Sequence, residues 1–214
     1  MYYWIVVNNQ TGEFGANTSS HPQDATLAPE GFSYVEFSDP LDATTQAAFD
    51  NSQAYLYQNG SFVANSNYPQ LQLQQAATNQ ISAIEAACQA VVNGQFKCKA
   101  TGHTYASSVG GQVNFLAELP RFQYDSTLTT VSYDTLDAGW VDHTQTDIQN
   151  ALVEGGRWKD AQYAQMNTLI AQVTQLAAAS GTTVKQIQAI VFTEADYQGV
   201  STTTSSSGGT TTTS

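Results

Sequence analysis

The sequence predicts an α+β protein: an N-terminal antiparallel β module, a connecting helix, and a mainly helical C-terminal module with a small β insertion. Three observations predict it. The first 68 residues hold aromatic and β-branched runs broken by turn residues. A long Ala- and Gln-rich stretch without Gly or Pro follows. Beyond it, apolar residues recur at spacings of three and four. The domain boundaries read from this are 1–68 for the β module, 69–95 for the helix, 96–193 for the mixed module and 194–214 for a Thr/Ser/Gly-rich tail.

In the β module, Tyr2-Tyr3-Trp4-Ile5-Val6-Val7 is a strand, Asn8 to Gly12 a turn, and Glu13-Phe14-Gly15-Ala16 a returning strand. Phe32 to Phe37 is another, with Phe32, Tyr34 and Glu36 on one face and Val35 and Phe37 on the other. Asp39 is expected to cap a helical turn with Pro40 at its first position. Tyr55 to Ala64 is the clearest hairpin, because Asn59-Gly60 tolerates positive φ at both turn positions.

Pro69 marks a change of period. Leu73, Ala77, Ile81, Ile84, Cys88 and Val91 form one helical stripe, and Gly94 ends it. The stripe spans about three heptads, so packing on the chain's own core is favoured over a coiled-coil seam. Phe96 to Lys99 is extended. Val113, Leu116, Ala117 and Leu119 predict a short helix ending before Pro120, and Phe122 to Tyr133 reads as strand. Asp137-Ala138-Gly139 is a turn before Trp140-Val141. Thr144 with Asp147 resembles a capping box opening a helix that carries Ile148, Ala151 and Leu152. Gly155-Gly156 is a break or a kink. Trp158, Met166, Leu169, Val173 and Leu176 continue the stripe to Gly181, and Thr182 or Thr183 caps a last short helix with Val184, Ile187 and Ile190.

Composition narrows the function. Charged residues make up 11% of the chain, against about 25% in ordinary soluble domains. Gln, Asn, Ser and Thr take their place, and such a surface can be buried against neighbours without desolvating bare charge. Eighteen acidic and six basic residues give a net charge of −12. The densest basic pairs are Lys97 with Lys99 and Arg157 with Lys159, too few for a nucleic-acid backbone. No apolar run reaches membrane-spanning length. The N-terminus lacks the basic start of a signal peptide, so the sequons at Asn9, Asn17 and Asn59 carry little weight. Two cysteines, Cys88 and Cys98, make no disulfide framework. A bridge between them is left open, and Cys88 on the helix stripe reads as a small hydrophobe.

The stretch from Ile81 to Phe96 carries an Ala-Cys, an Ala-Val and a Gly-Gln-Phe in order. His103-Thr104-Tyr105, Gly111-Gln112-Val113-Asn114-Phe115, Gly139-Trp140, His143-Thr144 and Ala189-Ile190-Val191-Phe192 follow. This ordered set resembles the uncharacterised C-terminal module of many phage tail and tail-fibre proteins, over residues 70–193. Gln95 between Gly94 and Phe96, Gly111 where Asp is usual and Phe115 where Leu is usual depart from the pattern. The aromatic strand and hairpin before it resemble, more loosely, what precedes the module in tail proteins. The resemblance implies a virion tail location after assembly in the host cytoplasm, other tail or baseplate proteins as partners, a homo-oligomer or several copies per virion, and no known catalysis. It carries no binding residues with it.

No catalytic residue, cofactor or metal is assigned. His21, His103 and His143 lack metal-ligand spacing; His103 reads as a turn residue and His143 as a helix-entry residue. Asp125, Asp134, Asp137 and Asp142 sit where turns want Asp, and that reading outweighs a glycosidase carboxylate pair. The partner-binding candidates are Tyr2, Tyr3, Trp4, Tyr55 and Tyr57, with core and interface weighed equally, and Thr210, Thr211 and Thr212. Residues 201–214 have no apolar surface to order themselves when free. The expected function is a structural, protein-binding tail component: a fibre, adaptor or baseplate-periphery subunit. A fibre-assembly chaperone and a host-glycan or receptor-binding module are the alternatives.

Overall fold

The computed structural model describes residues 2–19, 24 and 27–200. His21, Thr210, Thr211 and Thr212 lie outside the described residues. The architecture is α+β, and the chain divides into two compact units between Gln75 and Ala76. The division falls inside a helix that the sequence set apart as a connector.

In the first unit, β1 (Tyr2–Asn8) is the central strand of an antiparallel sheet, flanked by β2 (Phe14–Ser19) and β3 (Phe32–Phe37). The Asn8 side chain accepts hydrogen bonds from Gln10 N–H at 2.9 Å and Thr11 N–H at 3.2 Å, and Gly12 adopts φ 76°, which turns the chain back. Period-two alternation buries Ile5 and Val7. Val35 and Phe37 sit opposite Ile5 and Tyr3, on that same face. Then α1 (Ala43–Asp50) begins at Asp42, three residues after the predicted cap. The Asp42 carboxylate accepts from Thr44 N–H and Thr45 N–H, each at 2.9 Å, so the first turn's free donors are met there. The Asp39–Pro40 peptide, expected to start the helix, is cis and precedes it. The predicted hairpin is present as β4 (Tyr55–Gln58) and β5 (Ser61–Ala64), with Asn59 and Gly60 at φ 50° and 81°.

The helix α2 (Tyr68–Val92) carries the predicted stripe and buries Leu73, Ala77, Ile84 and Cys88. In the second unit two hairpins follow: β6 (Gln95–Lys97) with β7 (Thr104–Ala106), and β8 (Thr130–Thr135) with β9 (Gly139–Thr144). Between them runs α3 (Val109–Tyr124). It corrects the sequence reading, because it passes through Pro120 and takes in Phe122 to Tyr124, which had read as strand. Continuing the helix packs Leu119 and Phe122 beside buried Phe115 on the core. That burial outweighs the hydrogen bond Pro120 cannot donate.

The Thr144–Asp147 capping box is formed, with Asp147 Oδ2 accepting from Thr144 N–H at 2.9 Å. It opens α4 (Gln145–Ala178), 34 residues long and continuous through Gly155-Gly156. A Cβ on Gly155 would stand 3.0 Å from the Phe96 ring, so this glycine serves close packing rather than a break. Thr183 caps α5 (Val184–Gln188) in a second capping box with Gln186. Cys88, Phe96, Tyr105, Phe115, Ile148 and Trp158 lie at the centre of the second unit's core. Among the described residues no helix is long and apolar enough to cross a membrane.

Candidate functional site

Several of the motif residues singled out in the sequence are buried in the second unit, whereas Trp140, Val191 and Val113 of the same set are exposed. Cys88, Phe96, Tyr105, Phe115 and His143 come from α2, β6, β7, α3 and β9, and all are buried. Ring centroids lie 5.6 Å apart for Phe96–Tyr105, 4.9 Å for Tyr105–Phe115 and 5.7 Å for Tyr105–His143. Tyr133 stacks on Phe115 at 4.3 Å. These are aromatic pairings in edge, tilted and offset arrangements that add to simple area burial.

His143 does more than its sequence reading gave it. It does stand at the entry to α4, just before the Thr144 cap, but it is also a strand residue 1% exposed, because alternation along β9 turns it inward. Its Nδ1 lies 2.8 Å from the Val141 carbonyl, which can only accept. In the neutral imidazole Nδ1 therefore carries the proton, and Nε2 accepts from the Tyr105 hydroxyl at 2.7 Å. Thr101 Oγ1 lies 2.9 Å from that same hydroxyl. Burial pushes the Tyr105 phenol well above its ordinary range and Tyr133 up to about 12, so both are held as neutral hydrogen-bonding groups.

The flagged acids do turn and surface work. Asp125 accepts from Thr127 N–H at 3.0 Å where α3 ends. Asp137 accepts from Thr104 N–H at 2.8 Å, which ties the β8–β9 turn to β7, and His103 Nδ1 stands 3.4 Å from its other oxygen. That backbone hydrogen bond leads the effects that hold Asp137 below the usual carboxylate range. Asp134 and Asp142 are exposed, Asp134 between buried Tyr133 and Thr135 and Asp142 between half-buried Val141 and buried His143. Among the described residues no cluster of three or more His, Cys, Asp or Glu is placed to hold a metal. Cys88 and Cys98 are both buried free thiols, and burial raises the pKa of each.

Of the aromatic partner-binding candidates, Tyr2 is exposed at 39%. Tyr3 and Tyr57 join one cluster through Phe49 and Phe37, with Tyr3–Phe49 at 5.8 Å and Phe37–Tyr57 at 6.0 Å. Trp4, on the opposite face of β1, meets Tyr34 edge-on at 5.2 Å, and its buried indole N–H has no hydrogen-bond partner. Tyr55 is half-buried opposite Ala64.

A second constellation was not legible in the sequence. Glu154 and Gln162 sit on the buried face of α4 beside Trp158, and neither side chain reaches solvent. Together they hold residues 194–200, which the sequence had placed in the polar tail. Gln162 donates to the Ala195 carbonyl at 2.8 Å and accepts from Ala195 N–H at 2.7 Å. Trp158 Nε1 donates to Glu194 at 2.9 Å. Glu154 accepts from Val200 N–H at 2.8 Å and from Lys99 N–H at 2.5 Å, and the Tyr197 hydroxyl lies 3.0 Å from it, its one proton shared with the Lys97 carbonyl at 2.5 Å. Lys99 Nζ reaches Asp196 at 2.9 Å and also the Tyr197 carbonyl. Desolvation pushes the Glu154 carboxyl up, but the donors from Val200, Lys99, Cys98 and Tyr197 together hold it below its ordinary value. The available signal was two polar residues on an apolar helical stripe, Glu154 and Gln162 each four from Trp158.

Comparison of the chain with protein-family models, curated proteins and solved structures finds no match.

Proposed function

We propose that the chain is a structural, protein-binding component of a bacteriophage tail, positioned in a fibre, a fibre adaptor or the baseplate periphery. The observation that carries the reading is the ordered motif set over residues 70–193. Its support is that Cys88, Phe96, Tyr105 and Phe115, scattered through that set, share one core, with His143 against Tyr105, while Trp140 and Val191 of the set remain on the surface. Residues that build a core are what a shared structural module would keep in common, whatever its surface binds. The charge-poor composition fits a subunit surrounded by others, since amides and hydroxyls are desolvated at smaller cost than ions. Mass spectrometry of purified virions tests the reading. The chain is expected in the particle at a fixed ratio to known tail subunits, and its absence from the particle overturns the assignment.

A further inference from the structure

A cavity of about 170 Å³ lies between α3 and α4. One face of α4 lines it with Leu152, Gly155, Gly156 and Lys159, spaced i, i+3, i+4 and i+7. Phe96, Phe115 and Leu116 supply apolar wall from the other side. An apolar cavity of about 150 Å³ is known to accept a benzene-sized molecule, so one ring or a branched aliphatic body fits here.

Three features set this cavity apart from a packing defect. Ser107 lines it, is 2% exposed, and its hydroxyl has no hydrogen-bond partner. A buried unpaired hydroxyl is unfavourable, and a ligand acceptor would relieve it. Lys159 also lines it, half-buried, and makes no ion pair or hydrogen bond among the described residues, although the chain has 18 acidic residues to 6 basic. Gly156 lies within a 34-residue helix with nothing within 4 Å of where its Cβ would stand. An interior glycine weakens a helix. Close packing explains Gly155 but not Gly156, whose missing side chain leaves this face of α4 open.

We propose that the cavity is a binding site for a small ligand with an aromatic or branched apolar body and one acceptor oxygen, a carbonyl or carboxylate, held by Ser107 and Lys159. The body replaces water against Phe96, Phe115 and Leu116. The oxygen accepts from the Ser107 hydroxyl and the Lys159 ammonium.

The test is titration of the purified full chain with benzamide, benzoate and toluene, followed by amide chemical shifts and thermal unfolding. Benzamide and benzoate are expected to bind saturably and raise the melting temperature, with toluene at least tenfold weaker. Ser107→Ala is expected to fold normally, because its hydroxyl has no partner to lose, and to weaken benzamide about tenfold while leaving toluene unchanged. Gly156→Leu is expected to fill the cavity and abolish binding of all three, with an unchanged circular dichroism spectrum. No saturable binding of benzamide or benzoate overturns the proposal, as does equal affinity for toluene and benzamide, or unchanged benzamide affinity in Ser107→Ala. The assay uses the isolated chain alone, so its failure would leave the virion reading standing.

Discussion

Glu154→Gln isolates the carboxylate that holds residues 194–200. The substitution keeps side-chain volume and one acceptor oxygen. In the native chain one carboxylate oxygen accepts from Lys99 N–H at 2.5 Å, with the Tyr197 hydroxyl 3.0 Å away and shared with the Lys97 carbonyl, and the other accepts from Val200 N–H at 2.8 Å. A glutamine can satisfy only one of those sets, and its amide nitrogen turns a donor toward the other. Leaving a buried donor unmet costs about 1–3 kcal/mol, and hydrogen bonds to a charged acceptor are roughly twice as strong as neutral ones. The expected loss is about 2–4 kcal/mol for the second unit, or about 7–14 °C in its melting temperature. The pH dependence has a definite sign. The folded carboxyl is held below its ordinary value of 4.5, so its stabilisation is complete above that value and is lost as pH falls through the lower folded pKa. The wild type should therefore lose its advantage over the variant in acid. Urea unfolding by circular dichroism from pH 7 to pH 3, with hydrogen exchange at the Ala195 and Val200 amides, reads both effects. A variant within about 0.5 kcal/mol of wild type at pH 7, with both amides still protected, would refute the reasoning.

Four further substitutions separate packing, propensity and hydrogen bonding. Gly156→Ala should stabilise α4 by about 0.5–1 kcal/mol in urea melts, whereas Gly155→Ala should destabilise, because its methyl meets the Phe96 ring at 3.0 Å. Gly111→Ala would place a Cβ 2.2 Å from the Ala106 carbonyl oxygen, and a loss of about 3 kcal/mol or more is expected from the forced backbone shift. Tyr105→Phe should cost about 1–3 kcal/mol, since it leaves buried His143 Nε2 without its donor at 2.7 Å, and the His143 ring resonances should shift in NMR spectra.

What the sequence made legible was local. Asn59-Gly60 names its own turn, Thr144 and Asp147 name a helix start, and the α2 stripe shows its buried face by spacing alone. Each depends on residues a few positions apart. What stayed hidden depends on distant partners. Pro120 reads as a stop until Leu119 and Phe122 are seen on the core. His143 reads as a helix entry, which it is, but nothing local shows that it is buried against Tyr105, 38 residues away. Residues 194–200 read as tail because their anchors at Glu154 and Gln162 lie 33 to 46 residues back. Such side-chain to backbone bonds leave no periodicity. The aromatic candidates show the same limit: composition alone gave no means of separating Tyr3 and Tyr57, which join a ring cluster, from Tyr2, which is exposed.

The central claim is a place in the tail, and cryo-electron microscopy of the intact virion tests it most directly. The account predicts repeated density in the fibre or baseplate periphery that the second unit fits, with the Phe96, Tyr105, Phe115 and His143 rings resolved as one cluster. A complete tail map in which every density belongs to other chains would contradict it.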